Sequence, residues 1–300
     1  MRISFVIHTL DPAAGGVTSA VTELAVSLTS LGHTCRIISF DPPHKVRPAI
    51  EGVECLAIGP AKGSYGYIPA LEKKLRVQST DLLVLNGLWL YSTYGVARWA
   101  QKNKIPYVLY PHGMLDPYFS QFLLKHLKKL AYWLLFERHT VHRAKALCYT
   151  TASERSLAQK TFPFYRPARE EILGLGLESS PSSHDTAREN FFSHFPALRD
   201  TPFILHMGRF HPKKGCDLLL KALHDFPSLK LAMVGPLHES DNSFIEKLRD
   251  LAPADRVTWT GLLTGELKWG ALCAAKALIL PSHQENFGMI VAEALSVGTP

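Results

Sequence analysis

The sequence lacks features that define several classes of protein, beginning with an ordered set of cysteines. Its 300 residues contain five cysteines, an odd number, and none of them belongs to a Cys-x-x-Cys pair. We therefore expect neither a disulfide framework nor a zinc site, and interpret the cysteines as small core residues in a reducing compartment. The sequence shows no cluster of metal ligands, and we predict no cofactor.

Long apolar runs and long basic runs are also missing. No stretch approaches the roughly 18–20 apolar residues of a membrane span. The segment before Asp11 is too short for the apolar part of a signal peptide. These absences predict a cytoplasmic protein. Since Lys/Arg runs and zinc-finger spacings are absent as well, nucleic acid is not an expected partner.

Composition and charge favour a globular protein with anionic partners. Apolar residues make up 46% of the chain and charged residues 20%, as in folded domains and unlike disordered segments. The net charge of +7 favours phosphates or an anionic membrane face as partners. The alternative is that this mild positive charge only aids solubility.

Short apolar runs alternate with longer amphipathic segments, which predicts parallel βαβ units and an α/β fold. We expect strands at 2–8, 35–40, 53–58, 81–86, 106–110, 146–150, 203–207, 229–234, 256–259 and 277–280, and helices that include 17–31, 92–102, 213–225 and 264–275. Proline and serine clusters interrupt the pattern once. We therefore predict a Rossmann-like domain over 1–165, a connection over 166–201 with a short helix at 185–194, and a second Rossmann-like domain over 202–300.

Two loops of the first domain carry candidate ligand contacts. Gly15 and Gly16 open the helix at 17–31, where backbone amides can point at a phosphate. An ordinary turn between strand and helix is the alternative. His112 follows the strand at 106–110, where its ring can hydrogen-bond a sugar hydroxyl or stabilise developing charge. The alternative there is a structural loop histidine.

The second domain carries two more patterns. Arg209 and Lys214 lie at a turn from strand to helix, where two cations can converge on a diphosphate. Glu285 follows the apolar run at 277–280, so it should lie at the carboxyl end of a strand, where open α/β sheets bind ligands. Glu293, eight positions later in a short helix, can reach a polyol such as a ribose.

Together these motifs resemble those of the retaining, family 4 glycosyltransferases of the GT-B fold. The frame Pro-Ser-x-x-Glu-x-Phe-Gly, then Glu-Ala-Leu and Gly-x-Pro, is similar to their Glu-x7-Glu signature, and the other motifs occur in family order. The resemblance implies two Rossmann-like domains facing a central cleft. It also implies transfer of a sugar, with retention and without a metal, from a nucleotide diphosphate sugar to a hydroxyl of a glycan or lipid-linked acceptor.

The resemblance assigns roles to individual residues. Arg209 and Lys214 hold the diphosphate, Glu285 orients the donor sugar, and His112 contacts that sugar. Glu293 holds the ribose. The other predicted donor contacts are Gly15, Gly16, Gly235, Val257, Leu262, Phe287, Gly288 and Met289. The strand ends near Gly235 and Val257 equally fit plain sheet ends.

The chain departs from the family pattern at two places. The Asn-Gly expected after the inter-domain strand is replaced by Leu175-Gly176, and the family continues beyond the position of Pro300 with further βα units. We therefore expect an incomplete second domain. The alternatives to an active transferase are an inactive nucleotide-binding fragment and a sugar-nucleotide epimerase of the same fold.

Residues 118–145 combine aromatic and aliphatic side chains with basic ones, among them Phe119, Phe122, Lys125, Lys128 and Lys129. A basic amphipathic helix can lie on anionic lipid, which would suit a lipid-linked acceptor and a peripheral position at the inner face of the membrane. The alternative is a long helix that faces the core and whose lysines reach out to solvent.

Overall fold

The computed structural model describes residues 1–44, 49–75, 79–117, 123–237 and 242–300. The chain divides into two compact units, Met1–Gly176 and Leu177–Pro300. Each unit consists of a parallel sheet with helices, as the alternation of strands and helices predicts.

The first unit is built on a seven-stranded parallel sheet of order β3-β2-β1-β4-β5-β6-β7. Its strands are β1 (Arg2–Ile7), β2 (Thr34–Ser39), β3 (Glu54–Ala57), β4 (Leu82–Asn86), β5 (Tyr107–Tyr110), β6 (Ala146–Tyr149) and β7 (Glu170–Ile172). Its helices are α1 (Gly16–Ser30), α2 (Leu71–Leu75), α3 (Tyr91–Lys102), α4 (Leu123–Tyr132), α5 (Arg138–Arg143) and α6 (Ala152–Thr161). A π-helical turn, Trp133–Glu137, joins α4 to α5.

Side chains on both faces of this sheet are buried. Along β1, Phe5 and Ile7 belong to one apolar cluster, whereas Val6 belongs to another, because successive residues of a strand point to opposite faces. This explains why the strands are near-continuous apolar runs. The strand order changes direction beside β1, and β1 and β4 therefore place their carboxyl ends at a switch point of the sheet.

The second unit contains a three-stranded parallel sheet of order β10-β9-β8. Its elements are α7 (His184–His194), β8 (Phe203–Met207), α8 (Cys216–Leu223), β9 (Lys230–Val234), α9 (Asn242–Leu251), β10 (Val257–Gly261), α10 (Gly265–Ala274) and α11 (Met289–Ser296). Helix α10 packs closely on α7: a Cβ at Gly270 would lie 2.1 Å from the Ala187 carbonyl oxygen.

The strand predicted at 277–280 is wrong in extent. It is reduced to one bridge between Leu205 and Leu278, with two backbone hydrogen bonds to β8. Pro281 has no N–H to donate the next ladder bond, so pairing stops there. The Ile279 carbonyl instead accepts a hydrogen bond of 3.1 Å from Nδ1 of His206.

The helix predicted at 213–225 begins later than expected. Pro212–Lys214 forms a 3-10 turn, and Gly215 is left-handed with φ +64°, so α8 starts at Cys216.

The strand β7 was not expected, because its sequence Glu-Glu-Ile gives no apolar run at this sheet edge. The structure divides residues 166–201 between the units: β7 pairs with β6, and α7 packs on α10.

Candidate functional site

In the second unit, the three strands of the sheet bring their carboxyl ends close together through glycines. Gly208 donates 2.9 Å to the Val234 carbonyl, and Gly235 donates 3.0 Å to the Gly261 carbonyl. A Cβ at Gly235 would lie 2.1 Å from the Gly208 carbonyl oxygen, so no larger residue fits without a shift. Gly235 therefore has a structural reason to be glycine.

The turn before α8 lies directly against the segment that carries Glu285. A Cβ at Gly215 would lie 2.1 Å from the Pro281 carbonyl oxygen, and the amide of His283 donates 2.9 Å to the Lys213 carbonyl. This close backbone approach brings two predicted residues into contact. Lys214 Nζ lies 2.5 Å from Glu285 Oε2, with side chains 16% and 34% exposed.

Arg209 and the strand-end residues take separate positions. Arg209 is exposed and makes no hydrogen bond or ion pair with any residue that the structure describes. Val257 is buried at the start of β10, whereas Leu262 is exposed just past its end. These two predicted donor contacts therefore lie at opposite ends of one strand.

Helix α11 begins at Met289, and the residue before it, Gly288, is left-handed with φ +73° and provides no side-chain cap. The Val291 amide donates 2.8 Å to the Gly288 carbonyl, which leaves the amides of Met289 and Ile290 as first-turn donors for other acceptors. Phe287 and Met289 flank this glycine, and both are half-buried. The start of α11 is thus free of capping side chains, as an anion-binding helix end requires.

Glu293 lies inside the second unit and is paired. Its Oε1 lies 3.3 Å from Lys268 Nζ, which also lies 2.5 Å from Glu178 Oε2. Burial raises the pKa of Glu293, and the Lys268 charge opposes that rise. Lys268 was missed by sequence reasoning, because it lies on α10, 25 residues before Glu293, with no motif around it.

In the first unit, the glycine loop after β1 adopts a conformation that requires glycine. Gly15 has φ +93°, and α1 starts at Gly16 without a side-chain cap. The carboxylate of Asp11 accepts a 3.0 Å hydrogen bond from the Ala13 amide and so fixes the turn before these glycines. The first turn of α1 therefore also lacks a capping side chain.

His112 lies two residues after the end of β5, in a left-handed conformation with φ +50°. Its Nε2 lies 2.9 Å from Asn86 Oδ1, and burial lowers its pKa to about 4. The next amide, of Gly113, donates 2.6 Å to the buried carboxylate of Glu154, which Thr150 also binds. Neither Asn86 nor Glu154 was predicted from the sequence. Only Asn86 could have been noticed, because it is a polar residue at the end of an otherwise apolar strand.

Membrane spans and metal clusters are both absent from the part of the chain that the structure describes. Within the described ranges, no helix is both long and apolar enough to cross a membrane. Among the same residues, no three His, Cys, Asp or Glu side chains are grouped so that they could hold a metal ion.

Two parallel α/β units with loops at their strand ends give the chain the GT-B fold of the solved structures that it resembles over 99–100% of its length. A family described as "Glycosyl transferase 4-like domain" matches residues 15–176, and one described as "Glycosyl transferases group 1" matches 187–300. Since the first match covers more than half of the chain, the protein belongs to the group 1, family 4-like glycosyltransferases.

Curated relatives share moderate identity with the chain. A D-inositol 3-phosphate glycosyltransferase of Mycobacteroides abscessus is 33% identical over 142 residues, 45% of this chain and 31% of the relative. Another protein of that name, from a Nocardioides species, is 25% identical over 96% of this chain and 69% of its own length. The chain spans 31% of the length of the Mycobacteroides abscessus protein, 19% of a sulfoquinovosyl transferase of Arabidopsis thaliana and 38% of a D-inositol 3-phosphate glycosyltransferase of Mycolicibacterium smegmatis.

Solved structures share the fold at low identity. Sucrose-phosphate synthase from Thermosynechococcus elongatus is 19% identical with a TM-score of 0.76, covering 100% of this chain and 80% of its own. Anabaena HepE in complex with UDP-glucose is 17% identical with a TM-score of 0.76, covering 100% of this chain and 79% of its own.

Proposed function

We propose that the protein transfers a sugar from a nucleotide diphosphate sugar to a hydroxyl acceptor, with retention at the anomeric carbon. The observation that carries this proposal is the Lys214–Glu285 pair at 2.5 Å, next to the carboxyl ends of the strands of the second unit. A cation and a carboxylate side by side suit a ligand that carries a diphosphate next to a polyol. The name of one relative, a lipopolysaccharide core biosynthesis glycosyltransferase of Rhizobium meliloti, supports a glycosyl transfer in glycolipid or polysaccharide biosynthesis.

In this proposal, Lys214 and Arg209 hold the diphosphate and stabilise its charge as it leaves. Both side chains stay partly exposed, at 16% and 34%, so an incoming diphosphate can compete with Glu285 for Lys214. Arg209 makes no hydrogen bond or ion pair with the described residues, so binding a diphosphate breaks no such contact of its side chain. Glu285 is then available to accept hydrogen bonds from hydroxyls of the donor sugar.

The remaining contacts follow the same chemistry. The amides of Gly16 and Gly288 can donate to phosphate oxygens, and the Gly15 amide, which donates 3.1 Å to the Pro12 carbonyl, can do so once that turn bond is exchanged. Glu293, whose ionised form the Lys268 charge favours, can accept from ribose hydroxyls. His112 contacts the donor sugar.

We infer that the reaction proceeds without a covalent intermediate on the protein and without a metal ion. The acceptor attacks on the face from which the diphosphate leaves, assisted by that leaving phosphate. The cations of Arg209 and Lys214 supply the positive charge that other enzymes take from a divalent ion. A nuclear magnetic resonance spectrum of the product establishes whether the anomeric configuration is retained, and turnover undiminished by a chelator supports the absence of a metal.

Incubation with a panel of radiolabelled nucleotide sugars and alcohol acceptors tests the function. We expect transfer or slow donor hydrolysis. Arg209→Ala and Lys214→Ala should each lower kcat/KM by an amount equivalent to about 2–4 kcal/mol, as when one charge-stabilising donor is lost.

Lys221→Ala is the matched control, because Lys221 is an exposed lysine of the neighbouring α8 that pairs with Asp217 at 3.8 Å. A change below threefold in the Arg209 and Lys214 variants contradicts their roles. Donor binding without turnover favours the inactive nucleotide-binding fragment, and epimerised nucleotide sugar favours the epimerase.

We also propose a cytoplasmic protein that touches the anionic inner face of a membrane through α4, the π-helical turn and α5. Leu127, Leu135 and Phe136 are 50%, 64% and 36% exposed, next to the exposed Lys128. This surface suits a lipid-linked acceptor. Phe119 and Phe122 lie outside the described residues, as does the side chain of Lys125, and Lys129 lies over the Trp89 ring at 4.9 Å.

A further inference from the structure

His112 is held by neighbours on several elements. Its ring stacks on Tyr110 at 5.7 Å with an interplanar angle of 21°, and its Nε2 lies 2.9 Å from Asn86 Oδ1 at the end of β4. The following amide, of Gly113, is bound by the Glu154 carboxylate at 2.6 Å. A non-glycine residue with φ +50° persists only where its surroundings determine it, so this ring position is imposed by the fold.

The orientation of the Asn86 side-chain amide is fixed by the strands around it. Its Nδ2 donates to the backbone carbonyls of Val6 and Val84, at 3.2 Å each. A flipped amide would place Oδ1 against two carbonyl oxygens, neither of which can donate. Oδ1 must therefore face His112, and since this oxygen only accepts, the His112 Nε2 must carry the proton.

This proton position decides what the other ring nitrogen can do. A neutral imidazole with its proton on Nε2 has a lone pair on Nδ1, which accepts and does not donate. The ring is half-buried, and its Nδ1 has no hydrogen-bond partner among the residues that the structure describes. Burial lowers the pKa of His112 to about 4, so this acceptor form prevails at neutral pH.

We propose that Asn86 is a positioning residue that holds His112 in its Nε2–H form, so that Nδ1 accepts a hydrogen bond from a hydroxyl of the donor sugar. Asn86 thereby acts through His112 and sets which partners the ring selects: hydroxyl groups that donate, and not carbonyl or phosphate oxygens. The ligand part of this inference rests on the proposed function, whereas the tautomer does not.

Long-range 1H–15N correlation spectra of the full chain with 15N-labelled histidine test the tautomer, with His112→Gln to assign the signals. We expect a protonated Nε2 and an unprotonated Nδ1 at neutral pH. Asn86→Ala should give a mixture of both tautomers, because it removes the acceptor that faces Nε2. A proton on Nδ1 in the native chain, or an unchanged tautomer in Asn86→Ala, overturns the proposal.

Calorimetric binding of UDP-glucose and of UDP tests the ligand. Asn86→Ala should weaken UDP-glucose binding roughly tenfold, the loss of about one hydrogen bond, and leave UDP binding within twofold. Asn103→Ala is the matched control, because Asn103 also donates its side-chain amide to a backbone carbonyl, that of Trp99 at 2.7 Å, and should change neither affinity.

Equal loss for UDP and UDP-glucose, or no loss for either, overturns the ligand role of Nδ1. Failure of the native chain to bind any nucleotide sugar of the panel contradicts the proposed function and, with it, that ligand role. The tautomer that Asn86 sets is judged by the spectra in every case, so the two failures are distinguishable.

Discussion

At the scale of single residues, Gly215 determines whether Lys214 meets Glu285. Its φ of +64° and the Pro281 carbonyl oxygen, which would lie 2.1 Å from a Cβ at this position, give two independent reasons for glycine. Gly215→Ala should therefore destabilise the protein by more than the ~1 kcal/mol that a left-handed alanine costs, and should separate Lys214 from Glu285. Urea unfolding and nucleotide binding measure these two effects.

Gly265→Ala separates the two causes of that loss. Gly265 is also left-handed, with φ +53°, but a Cβ there would have no atom within 4 Å. It should therefore show the conformational cost without the steric one, and nucleotide affinity should not change. Equal destabilisation by the two substitutions would contradict the role of the Pro281 contact.

At the scale of elements, α10 and α11 are joined by the pair of Lys268 and Glu293. Lys268→Met leaves a buried carboxylate without its cation, which we expect to destabilise the protein by roughly 1–3 kcal/mol. In this variant the Glu293 pKa rises further above its unfolded value. The variant therefore keeps its stability at pH values below the pKa that Glu293 has in the unfolded chain. It loses stability as the pH rises through the pKa that Glu293 has in the folded protein.

Urea unfolding of Lys268→Met at a series of pH values measures this loss, and the double variant with Glu293→Gln should regain stability at high pH because no charge remains to be buried. The matched control is Lys276→Met, a lysine just beyond α10 for which the described residues give no side-chain ion pair. A pH-independent loss in Lys268→Met would contradict the pairing.

The segment from α4 to α5 carries the proposed membrane contact. Lys128→Glu should weaken binding to vesicles that contain phosphatidylserine by about 1–2 kcal/mol, because one attractive charge becomes repulsive, and Leu135→Ser should weaken it further by removing apolar contact. Sedimentation with the vesicles measures both. The exposed Lys73 of α2 gives the control, Lys73→Glu. Binding that is unchanged in the first two variants, or lowered equally by Lys73→Glu, contradicts this surface.

At the scale of the whole molecule, the sequence predicts elements better than it predicts contacts. Most strands could be predicted because buried parallel strands are apolar runs in the sequence. The strand predicted at 277–280 was too long, because Pro281 ends its hydrogen-bonded pairing with β8. Local motifs also located Lys214 and Glu285. The partners Asn86 and Lys268 could not be found this way, because each meets its site residue across 25 or more positions through tertiary packing.

Hydrogen exchange of the full chain with UDP tests the proposed site across the whole molecule. A ligand at 100 times its Kd stabilises the state that binds it by about 2.7 kcal/mol, which is enough to slow exchange at the contacted segments. We expect protection in peptides that cover 208–215 and 285–293, where Lys214, Glu285 and the start of α11 lie. Lys214→Ala should remove this protection, whereas Lys221→Ala should keep it. Since UDP lacks the donor sugar, the His112 loop should exchange at its unliganded rate. Protection confined to that loop would contradict the division of roles between diphosphate and donor-sugar contacts.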